Sequence, residues 1–149
     1  PGTKIYFIGS IRGGRDDVET YNEIINMLTS KAEVLGQQIG DSCITHLGEK
    51  NLSDDQIYAR EMRNIFNADL IIADVTTPSL GVGYNISKAL EQNKPVLCIH
   101  NKEAPKELSA IIAASPIKTI SYKDLDEAKR IISDFILKHQ NQNLIKNSC

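Results

Sequence analysis

Two glycine-rich segments carry the groups best suited to chemistry. The first is Gly9-Ser10-Ile11-Arg12-Gly13-Gly14-Arg15-Asp16, behind an apolar run and ahead of a helical pattern. Glycine lets the backbone approach a ligand closely, and free N–H groups at a helix start favour an anion. Ser10 adds a hydroxyl donor, and Arg12 can grip a phosphate through two N–H groups. Gly9, Ser10, Ile11 and Arg12 are therefore candidate ligand binders. The same residues also fit a tight strand-to-helix turn with solvated arginines. Gly9 and Gly14 have the spacing of a triphosphate-binding loop. However, Arg15-Asp16 stands where Lys and Ser/Thr are needed, and GxGxxG is absent. A mononucleotide phosphate fits this loop better than ATP or a dinucleotide.

The second segment is Asp74-Val75-Thr76-Thr77-Pro78-Ser79-Leu80-Gly81-Val82-Gly83-Tyr84. Its hydroxyls, its glycines and a helix start at its far end suit the opposite wall of a phosphate pocket. They suit an ordinary polar loop equally well. Glu61 is the third candidate. Tyr58, Met62, Ile65 and Phe66 form the apolar stripe of its helix, and Glu61 lies beside that stripe. A carboxylate there is paired, reaches solvent from the edge, or works in a site.

The elements that must position these residues alternate strand and helix. Lys4–Ile8 predicts a strand, and Val18, Tyr21, Ile24, Ile25 and Leu28 recur at helical spacing. Residues 33–39 predict a second, weaker strand. Ser53-Asp54-Asp55-Gln56 fits a capping box opening a helix to about Asn67. Leu70–Ala73 and Pro95–Ile99 suit strands buried on both faces. Between them, Ile86, Ala89 and Leu90 mark one helix face. Lys118–Ser121 predicts the last strand, and Asp124 caps a helix striped by Leu125, Ala128, Ile131, Ile132, Phe135 and Ile136. From Gln140 the chain reads as a frayed polar tail. The expected architecture is a single α/β domain over residues 1–149, a three-layer sandwich around a five-stranded parallel sheet. In a flavodoxin-like strand order the ligand site lies between the first and third strands, beyond their carboxyl ends. The loops following those strands are the two glycine-rich segments.

Composition narrows the partners. The 149 residues are 41% hydrophobic and 24% charged, with 17 Lys+Arg against 19 Asp+Glu. A net charge of −2 argues against a duplex-DNA binder. Three Phe, five Tyr and no Trp make a single-strand stacking platform unexpected. No apolar run is long enough to span a membrane. Cys43, Cys98 and Cys149 form no CxxC, and His46, His100 and His139 lack metal-ligand spacing, so neither a zinc site nor a disulfide framework is expected. The apolar run at residues 5–8 is too short for a signal peptide. An intracellular, reduced protein is expected, cytoplasmic and also nuclear.

Taken together, Ile5–Arg15 (IYFIGSIRGGR), Ala68–Tyr84 (ADLIIADVTTPSLGVGY) and Leu108–Ile112 (LSAII) closely resemble the 2′-deoxynucleoside 5′-phosphate N-hydrolases. These form the Rcl branch of the nucleoside 2-deoxyribosyltransferase superfamily. The resemblance runs from about residue 4 to 137. It implies a flavodoxin-like homodimer that splits a deoxynucleoside monophosphate into free base and 2-deoxyribose 5-phosphate, with no metal and no organic cofactor. By position, Ser10, Arg12, Ser79 and the Gly81 backbone match its phosphate binders. Ser109 matches a serine supplied by the neighbouring subunit, and Tyr6 a tyrosine beside the sugar and the catalytic carboxylate.

Such a reaction passes through an oxocarbenium-like state that a carboxylate can trap before water releases the sugar. A phosphate clamp turns remote binding energy into alignment. The chain departs from the family pattern twice. Glu61 stands where the family usually has Asp. Asn85 stands where the family's nucleophilic Glu follows GVGY, and an amide cannot serve as a carboxylate nucleophile. Deoxyribosyl transfer between bases and nucleotide binding without turnover are the competing readings.

Overall fold

A computed structural model describes residues 2–148, so Pro1 and Cys149 lie outside the described residues. Five strands, β1 (Lys4–Ile8), β2 (Glu33–Leu35), β3 (Leu70–Asp74), β4 (Val96–Asn101) and β5 (Lys118–Tyr122), form one sheet in the order β2-β1-β3-β4-β5. Every pairing is parallel. The strand order reverses between β1 and β3, where Ile5 to Ile8 align with Leu70 to Ala73. The all-parallel sheet is the one expected from the alternation of elements, and its order is the flavodoxin-like one that the family resemblance implies.

The period-two alternation of each strand divides the core into two layers. Ile5, Phe7, Ile72, Leu97 and Ile99 pack under α1 (Val18–Thr29) and the C-terminal helix. Tyr6, Ile8, Ile71, Ala73 and Cys98 face α2 (Asp54–Asn67) and α3 (Leu80–Glu91). Tyr6 is thereby committed to the same side of the sheet as Glu61 of α2. The capping box is present as read: Ser53 Oγ accepts from the Gln56 N–H, and Gln56 Oε1 accepts from the Ser53 N–H.

Several boundaries differ from the sequence reading. The second strand ends at Leu35 rather than residue 39, because Gly36 takes φ 81° and turns the chain into a 3-10 turn, Gln37–Gly40. A side chain at Gly36 would also stand 2.6 Å from the Phe7 carbonyl oxygen. The short helix α4 (Ala110–Ala114) adds an element. The residues from Gln140 to Asn147 are helical rather than a frayed tail. They continue α5 (Leu125–Asn147), since nothing between Asp124 and Asn147 is Gly or Pro. On α3 the buried face is Val82, Ile86 and Ala89, with Leu90 exposed.

Asp74, the last residue of β3, is fully buried. Its carboxylate accepts from the Thr76 N–H (2.9 Å) and from Tyr122 Oη (2.8 Å). Burial outweighs these bonds and raises the carboxyl to about 6 from an ordinary 3.8. The folded state therefore binds this proton more tightly than the unfolded chain. The resulting stabilisation is complete below about pH 4 and is lost as pH rises through 6. Asp74→Asn removes the charge. Its stability relative to the native chain should rise by up to roughly 3 kcal/mol between pH 4 and pH 7.5, a change that urea denaturation at both pH values would measure.

Candidate active site

The loops after β1 and β3 leave the sheet side by side and meet at Gly13. A Cβ on Gly13 would lie 2.5 Å from the Pro78 carbonyl oxygen and 2.8 Å from Ser10 Oγ. Thr77 Oγ1 donates to Asp17 Oδ2 at 2.6 Å, tying the second loop to the start of α1. Arg15 anchors the first loop by donating to the carbonyls of Ser10, Asp41 and Ile44. It is a structural brace rather than a solvated arginine.

Beyond these strand ends lies a cavity of about 610 Å³, within the usual range for a small-molecule site. Tyr6, Gly9, Ile11, Arg12, Glu61, Ser79, Gly81 and Asn85 all line it. Eight of the ten residues singled out from the sequence thus converge. Ser10 does not reach the wall. It is fully buried, its N–H donates to Tyr21 Oη, and its hydroxyl has no protein partner. Ser109 also lies elsewhere, exposed as the N-cap of α4.

One part of the cavity is built for an anion. Ser79 caps α3, its Oγ accepting from the Val82 N–H, and the first turn of α3 lines the cavity. That turn presents backbone N–H groups and the positive end of the helix dipole. Arg12 lines the same cavity and is paired with Asp54 at 3.2 Å, both side chains being largely exposed. Such an exposed pair is weak, so an anion can draw Arg12 away from it.

Another part is built around a carboxylate. Tyr6 Oη donates a hydrogen bond to Glu61 Oε2. Burial first, and the Glu61 carboxylate second, hold the Tyr6 phenol well above its ordinary range, so it acts as a donor. The expected stripe of α2 is rotated. Tyr58 and Phe66 are exposed, and the inward face runs through Ile57, Glu61 and Ile65. These residues recur every four positions, which places Glu61 on the inward face instead of beside it. Glu61 Oε1 accepts from Arg60, which forms a bidentate pair with Glu49.

Sequence reasoning missed Glu49 and Arg60. Glu49 sits in an irregular stretch with no periodicity, and its pairing with Arg60 comes from the tertiary fold. Asp54 was legible only as part of the capping box. Among the described residues no cluster of His, Cys, Asp and Glu could hold a metal ion.

The strand order, the cavity at its reversal, the tyrosine–carboxylate pair and the helix start in its wall define an α/β protein with a cavity suited to a small anionic ligand. The chain belongs to the nucleoside 2-deoxyribosyltransferase family, whose model matches residues 5–142. It is 47% identical over 111 residues to a Nematostella vectensis protein named as a 2′-deoxynucleoside 5′-phosphate N-hydrolase, covering 73% of this chain and 75% of that one. It is 37% identical over 135 residues to the Danio rerio 5-hydroxymethyl-dUMP N-hydrolase, covering 88% and 94%. Among solved structures, the Clostridium botulinum CMP N-glycosidase BcmB has the same fold. That match has a TM-score of 0.64 at 18% identity and covers 89% of this chain and 99% of that one. BlsM has a TM-score of 0.70 at 17% identity, covering 93% and 91%.

Arg12→Ala should weaken a phosphate-bearing ligand while barely affecting its unphosphorylated counterpart. Loss of a charge-assisted hydrogen bond costs about 1.5–3 kcal/mol, or roughly ten- to a hundred-fold in affinity. Calorimetric titration with both ligands checks this, and equal losses would place the anion elsewhere.

Proposed function

We propose that this chain binds 2′-deoxynucleoside 5′-monophosphates and hydrolyses their N-glycosidic bond to free base and 2-deoxyribose 5-phosphate. The observation that carries this reading is a single cavity lined by Arg12, the N-terminus of α3 and the Tyr6–Glu61 pair. The phosphate sits against Arg12, Ser79 and the Gly81 backbone, and the sugar lies toward Tyr6, Glu61 and Asn85. The curated relatives, named as N-hydrolases of such phosphates, support the substrate class. A soluble nucleotide substrate goes with a cytoplasmic and nuclear location.

Asn85 shapes the mechanism. It lines the cavity from the second turn of α3, and its amide can hydrogen-bond a sugar hydroxyl but cannot form a glycosyl ester. Turnover then depends on direct attack by water at C1′. Glu61 takes the water proton as the C1′–N electron pair leaves with the base. General-base assistance of this kind is worth about 10²–10⁴-fold. Asn85 is also the observation that favours a second reading, a nucleotide-binding protein with little turnover.

The active form in this proposal is a C2 homodimer, the commonest oligomer symmetry. Tyr58, Leu80 and Tyr84 stand exposed where they line the cavity, so a second copy would cover an apolar rim. Ser109, absent from the wall of this chain's own cavity, would complete the partner's phosphate site.

Two measurements test these points. Base release from deoxynucleoside monophosphates, followed by chromatography, should be very slow for this chain. Asn85→Glu should accelerate it by orders of magnitude with little change in affinity. Fast release by the unchanged chain, with no gain in the variant, would put the nucleophile elsewhere. Light scattering at micromolar protein should give a dimer mass; a monomer with binding intact would remove the shared-site proposal.

A further inference from the structure

We infer that Arg60 and Glu49 are positioning residues for Glu61, acting as a clamp that aims its carboxylate at the reacting centre. The inference rests on the N-hydrolase reading of the cavity.

The geometry is unusual for neighbours on a helix. Residues i and i+1 point about 100° apart and do not ordinarily face each other. Arg60 nevertheless reaches Glu61, with Nη2 donating to Oε1 at 3.2 Å. Glu49 explains this. It comes from the irregular stretch before α2 and takes both terminal nitrogens of Arg60, at 2.8 and 2.6 Å. The pull of Glu49 swings the guanidinium toward the cavity side of α2, and the same Nη2 is then shared with Glu61. The three side chains are only 13% (Glu49), 21% (Arg60) and 14% (Glu61) exposed.

The arrangement also has a cost. In this orientation Arg60 Nε is buried with no hydrogen-bond partner, and a buried unsatisfied donor is unfavourable. A clamp that served only to tie the loop to the helix would need the Glu49 contacts alone. The shared Nη2 adds a fixed point on Glu61, and Tyr6 fixes its other oxygen. Both carboxylate oxygens are thus held, while Glu49 and Glu61 line the cavity. Arg60 stands behind them and neutralises one of the two negative charges. A carboxylate fixed at both oxygens keeps its remaining lone pairs on a set heading, which a general base requires.

The test combines Arg60→Gln, Glu49→Gln and Glu49→Asp with Glu61→Gln alone and Glu61→Gln paired with Arg60→Gln. Arg60→Gln and Glu49→Gln should keep affinity for a deoxynucleoside monophosphate within about three-fold. They should slow single-turnover base release by about 10- to 100-fold, the scale of a modest misplacement of a reacting group. Glu49→Asp should recover part of that loss. In the Glu61→Gln background, Arg60→Gln should cost no further rate. A further loss there, or affinity falling in step with rate, would mean that the pair only holds the fold together, and would overturn the proposal.

A second readout needs no turnover. The side-chain carboxyl resonance of Glu61 in ¹³C-labelled protein, assigned by its absence in Glu61→Gln, should shift in Glu49→Gln as well as in Arg60→Gln. An unmoved resonance in both variants overturns the clamp. If no variant releases base, Asn85→Glu included, the N-hydrolase reading fails on its own, and the carboxyl resonance still decides whether the clamp exists.

Discussion

The parallel pairing of β1 with β3 is the constraint on which the site depends. Because Ile8 aligns with Ala73, the two strands end within one residue of each other and release their loops side by side. The loops then touch across Gly13, where the Pro78 carbonyl leaves no room for a Cβ. Thr77 and Asp17 hold the contact with a hydrogen bond. A crevice follows from the topology, since the crossovers after β1 and β3 depart to opposite faces of the sheet. The same pairing, with period-two alternation, sends Tyr6 to the α2 side, where it meets Glu61.

Three acids near this crevice show how environment sets what a carboxylate does. Asp74 is sealed beneath the second loop and keeps its hydrogen bonds with Thr76 and Tyr122. Its raised pKa records the dominance of burial over those bonds. Glu61 remains at the cavity wall with Tyr6 and Arg60 on separate oxygens. Glu49 gives both oxygens to Arg60, and this bidentate bond is the leading reason why the guanidinium holds its proton more firmly than usual. One arginine thus lets two acids share a partly enclosed space that would otherwise set like charges against each other.

In the proposed function, Asn85 separates recognition from chemistry. In that reading the anion-binding groups are backbone N–H donors, a serine cap and an arginine, and none of them depends on the residue at position 85. An amide at this position therefore leaves the proposed phosphate side of the cavity untouched, and the proposed sugar side carries one acid fewer than the family resemblance implies. Among residues that line the cavity, Glu61 and Glu49 are then the glutamates that remain, alongside the exposed Asp54.

The sequence by itself determined the alternation of strands and helices, the capping box of α2 and the two glycine loops. These features arise from local periodicity and turn chemistry, which neighbouring residues carry. It also singled out Tyr6, Arg12, Glu61, Ser79 and Asn85, whose positions match a family pattern from which Glu61 and Asn85 depart in residue type. Tertiary structure decided the rest. The second strand stops where the Gly36 backbone turns under Phe7, a contact between distant residues. The rotation of α2, which exposes Tyr58 and Phe66 and turns Glu61 inward, depends on how the helix docks on the sheet. The stripe in the sequence is broad enough to allow either face. The Glu49–Arg60 pair joins an irregular stretch to a helix across 11 positions. Neither partner signals it locally, because an ion pair of this kind exists only once the fold has brought both groups into one partly buried space.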